Sequence, residues 1–439
     1  MIRIFTVSIF LLTAASAVCQ QAKHVVLISI DGFRPEFYLD ESWPAPNLRK
    51  LVASGVCARA VRTVVPSVTY PSHTTLVTGA LPARHGIYYN SPKDAKQGEW
   101  YWEESLIKTS TLWDAVKSSG LTSGAVMWPV TVGAPIDYNF PVRRPNKDED
   151  GNQLSVTRPL VTPANLLNEI EEAEKVEITQ SDFSHEQMDK TIGMMANYIL
   201  SHYKPNLMAI HFLSMDHAGH EYGREGAHVR EALVLVDSLV GAVVATIEKT
   251  GIKANTTLII TGDHGMVDRT SGLAPNVWLA RNGLLKGDDG SARFHAAGGA
   301  AFLYLKDPHD NGTLQKVRAI LENLPASEKK LFRVVSRKEL DAMGANSEPA
   351  LALAFSKGVV FNNAQNGEAV RPVKGGGTHG YFPDFPEIMT GFIATGAGIN
   401  RGVRVDEIGI QDIAPLVARL LGIAFDAPDG KLHNRILKK

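Results

Sequence analysis

Three aspartates each follow an apolar segment of the sequence. Asp31 comes after VVLISI, Asp216 after LMAIHFLSM and Asp263 after LIITG. In a doubly wound sheet, ligands bind in the crevice at the carboxyl ends of the strands. Carboxylates that converge there repel one another unless cations hold them together or some of them are protonated. The sequence therefore predicts a polar site in which several carboxylates share bound cations.

Histidines accompany these aspartates and indicate which cation is bound. The segment DHAGH places His220 four positions after Asp216, close enough for both to reach one ion. His264 directly follows Asp263, and His379 lies in the glycine-rich segment GGGTHGY. Mixed carboxylate and imidazole ligands are typical of zinc, whereas all-oxygen sites favour magnesium or calcium. Any one of these residues has an ordinary structural alternative, but six of them at strand ends and glycine-rich turns favour a zinc site.

A hydroxyl nucleophile is predicted in the segment PSVTYPSHTTLVTG. Thr69 follows a predicted strand and begins a predicted helix that ends at Gly79. A helix N-terminus favours phosphate through its free amides and dipole, and a metal ion on the hydroxyl would lower its pKa. Helix capping is the alternative role for Thr69. Spacing alone does not exclude the other hydroxyls of this segment, which are Ser67, Ser72, Thr74 and Thr75.

The segments around these residues alternate between strands and helices. Strands are predicted at 24–30, 58–65, 122–128, 206–213 and 256–261, and helices at 46–54, 111–119, 233–247 and 413–421. Short apolar runs without polar alternation are typical of strands that are covered on both faces. The pattern predicts an α/β fold with a doubly wound, mostly parallel central sheet and helices on both faces.

Two regions interrupt this alternation. Residues 129–180 are rich in proline, asparagine and charge, and we expect them to form long loops over one end of the sheet. Residues 278–374 contain a predicted strand at 300–305 and a predicted helix at 312–324, which indicates a small inserted α+β subdomain. The catalytic domain is therefore predicted to span 22–439, with this insertion inside it.

The N-terminus indicates where the protein is located, and the composition limits its possible partners. Arg3, an apolar run at 4–15 and the small-residue site at 15–17 predict a signal peptide over 1–17, and hence a secreted or periplasmic protein. An uncleaved anchor is the alternative, although we expect no stable membrane insertion. The net charge of -1 argues against nucleic-acid binding. Cys19 and Cys57 are the only cysteines, so no disulfide framework is expected.

Five motifs of the chain resemble the nucleotide pyrophosphatase/phosphodiesterase family of the alkaline phosphatase superfamily. The motifs are ISIDGFRPEFY, PSVTYPSHTTLVTGALPARHGI, MDHAGHEYG, ITGDHGM and GGGTHGY. The resemblance implies two zinc ions, whose ligands would be Asp31, Thr69, Asp263 and His264 for one ion, and Asp216, His220 and His379 for the other. It also implies that Thr69 is the nucleophile and forms a phosphothreonine intermediate.

The resemblance further implies how the substrate is bound. Asn90, in GIYYNSP, and the backbone amide of Tyr70 would contact phosphoryl oxygens. Tyr70 and Trp128 would lie beside the metals, where aromatic residues of the family stack on a nucleobase. The expected substrate is a small-molecule phosphodiester or pyrophosphate, such as a nucleotide.

The alternatives concern mainly the substrate. Superfamily phosphomonoesterases clamp free phosphate oxygens with an arginine, and none adjoins Thr69 in the sequence, which favours a diester unless a distant loop supplies one. The segment WPVTVGAPIDYNFP differs from the W-P-G pattern of nucleotide-specific relatives, so lipid or choline phosphodiesters and phosphonates are alternative substrates. A phosphomonoesterase or phosphonate hydrolase and, more remotely, a non-catalytic ligand-binding protein are the alternative functions.

Overall fold

An eight-stranded sheet forms the centre of the computed structural model, which describes residues 22–438. From edge to edge its strands are Val403–Gly409, Val56–Arg62, Phe392–Gly396, Thr256–Thr261, His24–Ile30, Leu207–Phe212, Ser123–Val126 and Tyr138–Phe140. All neighbouring pairs are parallel except the two that involve Phe392–Gly396. The predicted α/β fold with a mostly parallel sheet is confirmed.

The central sheet is buried on both faces. Along the strand His24–Ile30, Val26 and Ile28 point into one hydrophobic core, whereas Val25 and Leu27 point into another. Successive side chains of a strand alternate between faces, so a strand with a core on each side must be apolar throughout. This is why the strand shows no polar alternation in the sequence.

Helices cover the two faces. These helices are Pro46–Ser54, Thr69–Thr78, Leu112–Ser118, Leu166–Glu174, Met188–His202, Ser214–Tyr222, Ala227–Lys249 and Ile413–Leu421. Two further helices, Pro275–Arg281 and Asn311–Glu322, pack in a separate hydrophobic core. Local signals set several of their ends. Thr111 and Asp114 form a capping box before Leu112–Ser118, and Gly79 ends Thr69–Thr78 in the left-handed conformation.

Residues 129–180 contain more regular structure than the sequence predicts. Tyr138–Phe140 forms an edge strand of the central sheet, and Gln153–Thr157 and Leu166–Glu174 are helices. The prediction of long loops is wrong for these segments. The strand has three residues, so it is too short to show a period of its own. It is defined by its pairing with Ser123–Val126 and by a single bridge from Asn139 to Thr162.

A second sheet lies within the predicted insertion. Its four antiparallel strands are, in order, Ala292–Ala296, Ala300–Leu305, Leu351–Phe355 and Phe332–Ser336. Phe294 and Leu303 from this sheet share a core with Val317 and Leu321 from the helix Asn311–Glu322. The subdomain boundaries at 278 and 374 stay a prediction.

The predicted signal peptide, 1–17, lies outside the described residues and also stays a prediction. Within 22–438, none of the helices has the length and apolar character that crossing a membrane requires.

Candidate active site and metal centre

The three aspartates meet at one edge of the central sheet. The strands that precede them, Thr256–Thr261, His24–Ile30 and Leu207–Phe212, are adjacent and parallel, so their carboxyl ends lie side by side. Asp31 directly follows the middle strand, and Asp263 lies just past Thr256–Thr261. Asp216 lies in the first turn of the helix Ser214–Tyr222, which follows the third strand. The sheet topology therefore brings together carboxylates that are far apart in the sequence.

Gly32 lets these segments approach closely. Its φ of +72° is in the left-handed region, and a Cβ at this position would lie 3.3 Å from the Cα of Asp216. The Gly32 N–H donates a hydrogen bond to Asp263 Oδ1 at 3.1 Å. The residue after Asp31 thus touches both of the other aspartates, and a side chain there would push the segments apart.

Three histidines face the aspartates. His264 Nε2 lies 3.4 Å from Asp31 Oδ1 and 3.1 Å from Asp263 Oδ2. His220 Nε2 lies 3.4 Å from Asp216 Oδ2, and His379 Nε2 lies 3.7 Å from Asp216 Oδ1. Two groups have ligand atoms that all lie within 4.8 Å of one another, and these groups are Asp31, Asp263 and His264, and Asp216, His264 and His379. The seven predicted ligands therefore surround one region, with His264 between the two groups.

The three histidines share one tautomer, with the proton on Nδ1. The Nδ1 atoms of His264, His220 and His379 lie 3.0, 3.1 and 3.0 Å from the backbone oxygens of Gly265, Gly377 and Ser67. Because a carbonyl only accepts, each Nδ1 carries the proton and each Nε2 presents a lone pair. Burial lowers the pKa of His264 to about 4 and that of His379 well below its usual value, which keeps both rings neutral. Neutral imidazoles with a free Nε2 are ready to bind a metal.

The surroundings of the three carboxylates are those of a cation-binding site. Asp31 Oδ1, Asp216 Oδ1 and Asp263 Oδ2 are buried and have no hydrogen-bond donor among the described residues. Burial raises the pKa of all three, and the charges of Asp263 and Asp216 raise the pKa of Asp31 further. Bare ionised carboxylates are unstable in such a place. Divalent cations would neutralise the three carboxylates and supply the missing partners.

Thr69 is the hydroxyl of the segment PSVTYPSHTTLVTG that faces this cluster. It is the first residue of the helix Thr69–Thr78, and its Oγ1 lies 3.5 Å from His264 Nε2. Thr69 lines a cavity of about 240 Å³ that also contains Asp31 and Asp216. The four rival hydroxyls do not line it. They bond elsewhere, Ser67 to the Tyr381 carbonyl, Ser72 to Thr63, Thr74 to the Tyr70 carbonyl and Thr75 to His85.

Asn90 lies beside Thr69 and bonds the next residue. The backbone N–H of Tyr70 donates to Asn90 Oδ1 at 3.0 Å. This contact fixes the side-chain orientation, because only the oxygen of the amide accepts, and it leaves the amide NH₂ of Asn90 available to the cavity that Asn90 lines. The Tyr70 amide, which the resemblance assigned to a phosphoryl oxygen, is already engaged.

The two aromatic residues predicted to contact the substrate, Tyr70 and Trp128, differ in their position relative to the cavity. Tyr70 lines the cavity and packs edge-on against Trp100, with 5.1 Å between ring centroids. Trp128 is fully buried and packs against His73 and Trp113 at 5.0 and 6.3 Å, so it is not part of the cavity wall. Its indole belongs to the hydrophobic core on one face of the sheet. The expectation of a Trp128 contact with the substrate does not agree with this placement.

Further cavity residues were not predicted from the sequence. They are Trp100, Met127, Pro129, Val142, Arg144, His185, Met188, Asp189, His211, Leu213, Ser214 and His217. His211 Nε2 lies 3.3 Å from Asp31 Oδ2, and its polar place within an apolar strand was the one available signal. Nothing in the sequence distinguishes Arg144 from other loop arginines. Its presence in the cavity corresponds to the alternative that a distant loop supplies an arginine.

Comparison with known proteins defines the enzyme class of this chain. The chain is a phosphoric ester hydrolase of the phosphodiesterase type. The model of the family described as type I phosphodiesterase / nucleotide pyrophosphatase matches residues 25–382, and the chain belongs to this family. The resemblance found in the sequence motifs is therefore confirmed.

Individual relatives support this assignment. Human ectonucleotide pyrophosphatase/phosphodiesterase family member 7 is 25% identical over 93% of this chain and 82% of its own length. A Xenopus laevis bis(5'-adenosyl)-triphosphatase is 23% identical over 93% of this chain and 80% of its own length. Human ectonucleotide pyrophosphatase/phosphodiesterase 5 has a similar fold, with a TM-score of 0.67 at 20% identity, covering 93% of this chain and 97% of that one. An inactive variant of the murine protein, in complex with AMP, gives a TM-score of 0.65 at 19% identity and covers 92% and 96% of the two chains.

Proposed function

We propose that this protein hydrolyses phosphodiester or pyrophosphate bonds with two zinc ions and with Thr69 as its nucleophile. One ion would be held by Asp31, Thr69, Asp263 and His264, and the other by Asp216, His220 and His379. The observation that carries the proposal is the position of Thr69. Its hydroxyl lines the carboxylate and histidine cavity, whereas the four rival hydroxyls are bonded elsewhere.

Zinc bound at this centre would supply Lewis acidity, which favours ionisation of a coordinated hydroxyl and offsets charge on a phosphoryl group. The residues of the chain supply the geometry. Thr69 begins a helix of ten residues, whose N-terminal end attracts phosphate. Thr69 Oγ1 lies 3.5 Å from His264 Nε2, which places the hydroxyl on the metal side of the cavity.

The reaction has two displacements at phosphorus. In the first, Thr69 Oγ1 loses its proton to solvent and forms a bond to phosphorus while the bond to the leaving oxygen breaks, and the leaving group takes up a proton from solvent. In the second, a water oxygen bonds to phosphorus, the bond to Thr69 Oγ1 breaks and Thr69 regains its proton. Both steps place charge on the phosphoryl oxygens, to which the amide NH₂ of Asn90 can donate. Tyr70 and Trp100 form an aromatic wall for the organic substituent.

A nucleotide is the substrate that the comparisons favour. One relative is named as a bis(5'-adenosyl)-triphosphatase and one similar structure contains AMP. A base can stack on an aromatic wall such as that of Tyr70 and Trp100. The same wall can also accept a choline group, because aromatic rings bind quaternary ammonium ions, so the preference for a nucleotide rests on the relatives.

Metal dependence and substrate range test the proposal together. Purified protein should hydrolyse bis-(p-nitrophenyl) phosphate and p-nitrophenyl nucleoside phosphates. Activity should disappear on chelation and return with zinc, at two zinc ions per chain by metal analysis. Full activity after exhaustive chelation would overturn the metal assignment.

A phosphomonoesterase is the second candidate, and Arg144 is the observation that favours it. A guanidinium in the cavity can bind the additional charge of a monoester. The ratio of rates for p-nitrophenyl phosphate and bis-(p-nitrophenyl) phosphate separates the two candidates. A higher rate for the monoester would change the substrate class and leave the metal centre as proposed.

A further inference from the structure

Arg144 provides an uncompensated positive charge in the cavity that contains Thr69. It lines this cavity together with Asn90 and Trp100 and is partly buried. Its Cζ atom lies 5.8 Å from the ring centroid of Trp100. Over the described residues 22–438, no carboxylate forms an ion pair with its guanidinium. A charge on a cavity wall without an ion-pair partner is available to a ligand.

The neighbouring arginine shows the opposite arrangement. Arg143 Nη2 forms an ion pair of 2.7 Å with Glu149 Oε2, and its Cζ lies 5.7 Å from the ring centroid of Trp102. Arg143 is therefore neutralised and does not line the cavity, so that of two consecutive arginines one anchors the segment and the other is free to bind.

Stacked aromatic rings connect this segment to the nucleophile. Trp100 and Trp102 stack with 5.9 Å between their centroids, and Tyr70 packs edge-on against both, at 5.1 and 6.0 Å. Burial raises the pKa of Tyr70, and the positive charge of Arg144 opposes this rise. The positive charge of Arg144 therefore acts on the residue next to Thr69.

We propose that Arg144 binds a second negative charge of the substrate, on phosphate oxygens beyond the single charge of a diester. This inference rests on the proposed function and names the substrate class of the same site. The planar guanidinium fork matches two oxygens of one phosphate. Two substrates share this chemistry, because the charge can lie on the free oxygens of a monoester or on the neighbouring phosphate of a pyrophosphate.

The test compares Arg144→Ala and Arg144→Lys with the wild type and with Lys147→Ala. Lys147 is exposed and lies in the same segment, so its replacement removes the same charge outside the cavity. Hydrolysis of three substrates by each zinc-loaded protein is followed. The substrates are bis-(p-nitrophenyl) phosphate, p-nitrophenyl phosphate and ATP. Inhibition of the first reaction by inorganic phosphate and by pyrophosphate is measured in parallel.

Arg144→Ala should lower kcat/KM for the monoester, for ATP or for both by about 10-fold or more, as expected when a charge-assisted hydrogen bond to phosphate is lost. The inhibition constants of phosphate and pyrophosphate should rise similarly, and turnover of the singly charged diester should change little. Arg144→Lys should restore part of the loss, and Lys147→Ala should match the wild type. Loss on the monoester alone or on ATP alone identifies which oxygens Arg144 contacts.

An equal loss on all three substrates, or unchanged inhibition by both anions, would overturn the inference, because Arg144 would then only stabilise the cavity. Failure of the proposed function gives a different result, namely no turnover by the wild type. In that case calorimetric binding of inorganic phosphate to the zinc-loaded wild type and to Arg144→Ala still decides the role of Arg144. Equal affinities would contradict it.

Discussion

Asn90 Oδ1 accepts the backbone N–H of Tyr70 at 3.0 Å, which fixes the orientation of the Asn90 amide beside the nucleophile. The amide NH₂ therefore points to the cavity without having to reorient when substrate binds. A donor held in advance stabilises charge that develops in a transition state more than one that must reorganise. This one hydrogen bond links the first turn of a helix to a loop that follows it.

Replacing Asn90 tests this role. Asn90→Ala should lower kcat for bis-(p-nitrophenyl) phosphate by about 100-fold, as for the loss of one preorganised donor. Asn90→Asp should be at least as damaging, because it keeps the acceptor for Tyr70 but replaces the donor by a negative charge. Steady-state kinetics measures both, and circular dichroism controls for folding. A rise in KM with unchanged kcat would show that Asn90 binds the ground state and the transition state equally.

The nucleophile is tested by removing single hydroxyls from one helix. Thr69→Ala should abolish turnover and keep zinc bound by its carboxylate and histidine ligands. Thr74→Val is the matched control, because the Thr74 hydroxyl donates only to the Tyr70 carbonyl, at 2.9 Å, and should leave the rate near that of the wild type. Rapid quenching of the wild type during turnover should trap phosphate on Thr69. Normal rates in Thr69→Ala would assign the nucleophile elsewhere.

Asp31 is expected to destabilise the metal-free protein. Burial and two neighbouring carboxylates raise its pKa, so its stabilising contribution is present at low pH and is lost as the pH rises through the folded-state value. In chelated protein, Asp31→Asn should raise the free energy of unfolding at pH 7.5 by on the order of 1 kcal/mol, and less at pH 5. The same variant should bind less zinc. Thermal unfolding with and without chelator measures the effect, and a lower stability of the chelated variant at pH 7.5 would contradict it.

His85 should make the protein sensitive to acid independently of the metal. The Ile87 N–H donates to His85 Nδ1, so Nε2 carries the proton and donates to Thr75 Oγ1 at 3.1 Å. Burial lowers the pKa of His85 to about 3. The unfolded state therefore binds the additional proton, and stability falls as the pH decreases from about 6.5 towards 3, by at most about 1.4 kcal/mol per pH unit.

The comparison for His85 is the His85→Gln variant, whose amide can keep both hydrogen bonds. Unfolding by urea at pH 6.5, 5.5 and 4.5 should give a smaller loss of stability per pH unit for the variant than for the wild type. Parallel curves for the two proteins would show that other groups cause the acid sensitivity.

Substitution of Tyr70 should change substrate binding, whereas substitution of Trp128 should change stability. Tyr70→Leu should raise KM for p-nitrophenyl substrates, because Tyr70 lines the cavity. Trp128→Phe should lower the free energy of unfolding by about 1–3 kcal/mol through a cavity in the core, with KM unchanged. Kinetics and thermal unfolding of both variants test the assignment, and a KM effect from Trp128→Phe alone would reverse it.

The sequence by itself determined the sheet and most of the polar cluster. Asp31 and Asp263 follow buried parallel strands, and the carboxyl ends of such strands must lie along one edge. Their convergence with Asp216 depends on the apolar periodicity of the strands, which is local, and on the pairing of strands that are distant in the chain. The segment around Thr69 carries an equally local signal, since a helix N-terminus follows directly from the residue pattern.

Only the tertiary structure decided which other side chains face the cavity. The sequence does not show that Thr74 and the other rival hydroxyls bond within the protein, that Trp128 turns into the core or that Arg144 lies near Thr69. These outcomes depend on contacts between residues that are distant in the chain, such as the packing of Trp100 on Tyr70. Loop side chains follow no period, so their direction is fixed by what packs against them.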